Sequence, residues 1–138
     1  MKHEQEETLQ PSVRILVVDD FEPWRRFASS TLRKKQGLHV VGEASNGVEA
    51  FQKAVELEPD LILLDIGLPS LNGIEAARRI RDIVPEAKII FLSEESSFDV
   101  VQKAMSLGAS AYVFKTMAAR DLLTAVETVL SGMKFVSI

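Results

Sequence analysis

Leu61-Ile62-Leu63-Leu64-Asp65 decides how the rest of the sequence is organised. Apolar residues follow one another without polar alternation, and a carboxylate closes the run. That pattern suits a parallel strand buried on both faces, not a strand with one wet side. Working outward, Val13-Arg14-Ile15-Leu16-Val17-Val18 has the same character and ends in Asp19-Asp20. His39-Val40-Val41-Gly42-Glu43-Ala44 lies between the two. Downstream, Ile89-Ile90-Phe91-Leu92 runs into Ser93, and Ala111-Tyr112-Val113-Phe114 runs into Lys115. Helix-like stretches separate these runs. Trp24, Phe27, Ala28 and Leu32 recur at helical spacing behind Pro23, where a first-turn proline is tolerated. Val48, Phe51 and Val55 follow the turn or cap signal Asn46-Gly47 and stop at Pro59. Ile74, Ala77 and Ile80, then Phe98, Val101 and Met105, then Leu122, Val126 and Val129 complete the series.

Strand alternating with helix predicts an α/β protein with helices on both faces of a parallel sheet. Right-handed crossovers make it a doubly wound five-stranded parallel sheet, with the flavodoxin-like order 2-1-3-4-5 as the usual solution. The expected division is a flexible N-terminal tail over 1–12, one domain over 13–132, and a linker or C-terminal tail beginning at 133–138.

The chain has 138 residues, enough for one domain with a proper core. Its net charge of −4 leaves no basic field to hold nucleic acid, so no direct nucleic-acid binding is expected of this segment. It contains no cysteine, which excludes disulfides, thiolate catalysis and zinc-thiolate sites. Its histidines, His3 and His39, are too sparse for a metal set. The polar start lacks a signal peptide's apolar core, and no apolar run is long enough for a membrane span. A cytoplasmic location is expected.

In such sheets ligands bind beyond the carboxyl ends of the strands. Those ends carry Asp19, Asp20, Asp65, Ser93 and Lys115. Each alone has a bland explanation. Asp or Ser at a strand end commonly caps a helix or forms a turn, and a lysine there is commonly solvated. Tyr112 alone is ordinary strand packing, on the same side as Phe114 and opposite Val113. Together they point to chemistry. Like charges at close quarters are costly, and an oxygen-only cluster suits Mg2+ or Mn2+. Magnesium takes few carboxylates and completes its shell with water and phosphate. Phosphoryl transfer needs positioning and charge neutralisation, and a carboxylate can itself be the nucleophile. Asp65 is best placed for that, with Gly67 and Pro69 shaping an open loop behind it.

From Arg14 to Ser131 the chain resembles a response-regulator receiver domain of two-component systems. The motifs are Ile15-Leu16-Val17-Val18-Asp19-Asp20, Asp65-Ile66-Gly67-Leu68-Pro69 running into Asn72-Gly73-Ile74-Glu75-Ala76, Phe91-Leu92-Ser93, and Gly108-Ala109-Ser110-Ala111-Tyr112-Val113-Phe114-Lys115. The resemblance implies Asp65 as phosphoacceptor and as a metal ligand. It implies Asp20 as a direct metal ligand, Asp19 as one acting mainly through water, and the Gly67 backbone carbonyl as a further ligand. Ser93 matches the switch hydroxyl, Lys115 the phosphate-binding lysine, and Tyr112 the switch aromatic, which turns inward as the hydroxyl moves toward the phosphoryl group. The implied partner is a sensor histidine kinase. The implied output is a signalling switch, not an enzyme, with a phosphorylation-dependent homodimer among its outcomes. Pro23, Leu68-Pro69-Ser70-Leu71-Asn72-Gly73-Ile74-Glu75-Ala76 and Gly132-Met133-Lys134-Phe135-Val136-Ser137 are most similar to the NarL-like subfamily. Its members continue into a LuxR-type helix-turn-helix that binds DNA. A piece of such a longer transcription regulator is expected, in preference to a stand-alone receiver.

Two positions depart from the pattern. Glu94 stands where a small residue usually follows the switch hydroxyl, and Thr116 replaces a common proline. Glu94 adds charge at the entrance and keeps open an alternative, an interaction module that works without phosphorylation. An aspartate-nucleophile phosphohydrolase would want an aspartate two residues after its nucleophile, where Gly67 stands. A flavin carrier would want a phosphate loop where Asp19-Asp20 repels phosphate.

Overall fold

The computed structural model describes residues 12–138, so all but the last residue of the expected tail lies outside the described residues. Strands β1 (Val13–Val18), β2 (Leu38–Ala44), β3 (Leu61–Leu64), β4 (Lys88–Ser93) and β5 (Ala111–Phe114) alternate with helices α1 (Glu22–Arg33), α2 (Gly47–Leu57), α3 (Gly73–Ile83), α4 (Phe98–Ser106) and α5 (Ala118–Leu130). The sheet is parallel throughout, in the order β2-β1-β3-β4-β5-β6. The five expected strands take their expected places. The addition is β6 (Phe135–Val136), which falls in the stretch expected to begin a linker or tail. It pairs with Ala111 and Tyr112 at the sheet edge.

Both faces of the sheet are buried, which is why the strands are continuously apolar. Ile15, Val17, Leu63, Ile90, Leu92 and Val113 point to one face, where Ala28 and Leu32 of α1 and Leu122, Ala125 and Val126 of α5 cover them. Leu16, Val18, Ile62, Leu64, Ile89, Phe91 and Tyr112 point to the other. Ala50 and Ala54 of α2, Ala77 and Ile80 of α3 and Ala104 of α4 close that side. Neighbouring residues in one strand thus serve two cores, and each buried Leu, Ile or Val contributes about 1.5–3 kcal/mol.

Local chemistry sets the helix starts. Asn46 Oδ1 accepts from the Glu49 backbone N–H at 2.8 Å, while Glu49 accepts back from Ser45 at 2.7 Å, a reciprocal cap. Asn72 caps α3 through the Glu75 N–H at 2.9 Å, and Ser97 accepts from Val100 at the start of α4. α1 has no side-chain cap and relies on Pro23 in its first turn. The α3 start also needs a residue without a side chain. A Cβ on Gly73 would lie 2.0 Å from the Asp65 carbonyl oxygen, so glycine there lets the helix close beneath β3.

Candidate functional site

Register brings the chemistry together. Val18 pairs with Leu64 and Leu64 with Phe91, so Asp19 and Asp65 leave the sheet at one level. Ser93 pairs with Phe114, which delivers Lys115 one residue further on. Asp19, Asp20, Asp65, Gly67, Ser93 and Lys115 stand at this carboxyl edge, and Tyr112, opposite Phe91 within β5, reaches it through its hydroxyl. Asp19, Asp65, Ser93, Tyr112 and Lys115 are buried, whereas Asp20 and Gly67 are exposed. Asp20, Asp65, Gly67, Ser93 and Lys115 face a cavity of about 550 Å3, lined also by Phe21, Trp24, Glu94 and Glu95.

The charged groups form a tight cluster. Asp19, Asp20 and Asp65 each place a carboxylate oxygen within 4.8 Å of the others, a spacing that can hold a cation. The Lys115 ammonium sits 2.7 Å from Asp19 Oδ2 and 3.5 Å from Asp65 Oδ2, so its nearer partner is Asp19. Burial pushes the Asp65 carboxyl above the ordinary range; Lys115 opposes that shift, and the charge of Asp19 adds to it. The donor set suits a hard divalent ion. It is oxygen only, partly exposed at Asp20, and otherwise carries more negative charge than one lysine neutralises.

The backbone holds these groups in place. Asp19 Oδ1 accepts from the Phe21 N–H at 3.0 Å, and Arg25 donates to the Asp19 carbonyl at 2.7 Å while its Nε contacts Glu43 at 3.0 Å. Asp65 Oδ1 accepts from the Gly67 N–H at 3.3 Å, so Asp65 forms its turn as well as facing the cavity. Nothing lies within 4 Å of where a Gly67 Cβ would stand, which leaves the loop beside Asp65 open. Ser93 Oγ accepts from the Glu95 N–H at 3.1 Å, and the Tyr112 hydroxyl donates to the Glu95 carbonyl at 2.6 Å. One residue of the β4–α4 loop is thereby gripped by both expected switch side chains. Burial raises the Tyr112 hydroxyl's pKa, with Glu95 and Asp65 adding to the effect, which keeps it a donor.

Comparison with known proteins turns this geometry into kinship. The family described as response regulator receiver domain matches residues 15–127. The chain belongs to that family. This receiver domain is 38% identical over 120 residues to the transcriptional regulatory protein LnrK of Bacillus subtilis (strain 168), covering 87% of the chain and 54% of LnrK. It is 36% identical over 121 residues to the response regulator protein VraR of Staphylococcus aureus, covering 88% of the chain and 58% of VraR. The crystal structure of a two-component response regulator of the LuxR family from Aurantimonas sp. SI85-9A1 superposes with a TM-score of 0.85 at 33% identity, covering 90% of this chain and 89% of that one. The chain spans little more than half the length of the curated relatives it matches. It is thus a receiver domain of a two-component response regulator, related to LuxR-type regulators. Among the described residues no helix is long and apolar enough to cross a membrane.

Sequence reasoning missed three features. Trp24, placed there only as part of a buried helix face, also has Lys115 Nζ 5.0 Å from its ring centroid. Arg25 anchors the Asp19 backbone. Ser137 Oγ accepts from the Phe114 N–H at 3.1 Å and donates to Asp121 at 2.8 Å, fastening β6 to β5 and α5. The first two had a weak signal, because they fall in the first turn after a strand that ends at the site. The third had none.

Proposed function

We propose that this receiver domain is a phosphoacceptor switch in which Asp65 takes a phosphoryl group from the phosphohistidine of a sensor histidine kinase. The observation that carries this reading is a cluster of three carboxylates, two of them paired with one buried ammonium, beside a cavity. An Asp65 oxygen attacks phosphorus, the phosphorus–nitrogen bond breaks, and the donor's imidazole leaves. An acyl phosphate remains on Asp65. Lys115 turns to the equatorial oxygens, and Ser93, whose hydroxyl hydrogen is not committed to Glu95, donates to one of them. Asp19, Asp20, Asp65 and the Gly67 carbonyl would hold Mg2+ (or Mn2+). Bound there, the ion would neutralise charge on the transferring group.

Adding a doubly charged group at Asp65 draws Ser93 toward it and loosens the grip on Glu95. The β4–α4 loop and the face formed by α4, β5 and α5 then change their affinity for a second receiver or for a C-terminal DNA-binding output domain. A second reading, an interaction module that works unphosphorylated, is favoured by Glu94, which sets a further carboxylate on the cavity lining.

Intact mass after incubation with Mg2+ and acetyl phosphate separates the two. The phosphoacceptor reading expects one added phosphoryl group, absent from Asp65→Asn and absent without the cation. No gain with acetyl phosphate or with phosphorylated kinases favours the second reading.

A further inference from the structure

Trp24 is the chain's single tryptophan, and the strand-end chemistry above makes no use of it. It lies in the first turn of α1, half-buried, and its ring meets Phe27 edge to face at 5.4 Å. The residue lines the acidic cavity and also an apolar groove of about 280 Å3 formed with Phe21, Pro23, Phe27 and Ala119. Lys115 and Phe21 line both as well, and Lys115 Nζ rests over the Trp24 ring, 5.0 Å from its centroid.

An ammonium donates on every side and accepts nothing, and lysine is rarely buried without partners. At Lys115, which is only 7% exposed, Asp19 supplies a strong partner and Asp65 a longer one. The negative face of an indole supplies another. Lysine is also a point charge on a flexible stem, so what surrounds its head fixes where the head points. A cation entering among Asp19, Asp20 and Asp65 competes with Lys115 for carboxylate oxygens. It does not compete for the ring.

We propose that Trp24 is a positioning residue: its indole face holds the Lys115 ammonium at the acidic pocket when Asp19 and Asp65 turn to a cation or a phosphoryl group. This rests on the phosphoacceptor reading of the same pocket and adds to it the residue that aims its lysine. A leucine at position 24 would fill much of the space but offer no negative face. A phenylalanine would keep a ring.

The test has a spectroscopic arm and a kinetic arm. Because there is one tryptophan, indole emission can be followed while Mg2+ alone is titrated, with binding measured separately by calorimetry. Emission is expected to change in step with the heat of binding as Lys115 shifts over the ring. In Lys115→Met, which loses a positive charge beside the carboxylates and is expected to give a heat of Mg2+ binding, that change is expected to vanish. In the kinetic arm, Trp24→Leu is expected to slow Asp65 phosphorylation at saturating acetyl phosphate by roughly 5- to 30-fold, the span from a strong exposed to a desolvated cation–π contact. Trp24→Phe should recover most of the rate. In a Lys115→Met background Trp24→Leu should cost nothing further, because the two residues act as one unit. Heat of binding without an emission change, an emission change that survives in Lys115→Met, or equal slowing in both backgrounds each overturns the role of Trp24 alone. Absence of both Mg2+ heat and phosphorylation overturns the phosphoacceptor reading and this inference with it.

Discussion

The middle of the sheet and its carboxyl edge are built from the same strands and obey opposite physics. Within β1, β3 and β4, residues such as Ile15, Leu63 and Ile90 lose their water and stabilise the fold by doing so. At the ends of those strands, and of β5, Asp19, Asp65 and Lys115 are almost as deeply buried, yet each carries charge. Their mutual attraction offsets a desolvation cost that an apolar trio would never incur. The contrast shows where this chain places buried charge at a cost in stability.

The contrast is sharpest where each region is broken. Ile90→Ala, in the apolar middle, should cost about 4 kcal/mol through lost burial and the cavity left behind. Urea denaturation checks it, and Mg2+ should not restore the loss. Lys115→Met, at the charged edge, should cost about 3 kcal/mol in the absence of divalent cations, because it leaves Asp19 and Asp65 facing each other uncompensated. Here millimolar Mg2+ should restore much of the loss. A Lys115→Met protein whose denaturation midpoint ignores Mg2+ would break the comparison. Away from both regions, Asn46→Ala removes the α2 cap and should cost about 1 kcal/mol with no dependence on cation or on pH near neutrality.

The smallest expected effect has the opposite sign. Asp65→Asn should raise the melting temperature of the cation-free protein near neutral pH, because burial disfavours the charged carboxylate there. The pH dependence fixes the cause. The folded state holds the Asp65 proton more tightly than the unfolded state does. Wild-type stability therefore falls as pH rises from the ordinary carboxylate pKa through the raised one. The gap between wild type and Asp65→Asn should be small at acid pH and reach its full size above that window. Thermal melts at a series of pH values would show it, and a gap widest at low pH would contradict the assignment.

The fold was largely legible in the sequence because parallel strands buried on both faces need near-continuous apolar runs, and the short runs from Val13, Leu61 and Ile89 alternate with helix-spaced stretches. The sixth strand was not legible. Phe135 and Val136 are too few to show a period, and what fixes them is the side chain of Ser137 reaching Phe114 and Asp121 across the chain. The clustering of the candidate residues was legible for a similar reason, since strand ends converge whatever the loops do. Its internal pairing was not. Nothing in the spacing says that Lys115 lies nearer Asp19 than Asp65, that Asp20 alone of the three carboxylates is exposed, or that Trp24 lies beside the lysine. Those are outcomes of register and of the entry angle of α1.

The central claim is that the Asp65 carboxylate accepts the phosphoryl group, and borohydride trapping tests it most directly. An aspartyl phosphate is reduced to homoserine, so the protein would be incubated with Mg2+ and acetyl phosphate, reduced, digested and mapped by peptide mass. Homoserine at position 65, and at no other carboxylate of the cluster, is the result the account predicts. Homoserine at Asp19 or Asp20 instead, or none at all after phosphorylation by any donor, would contradict it.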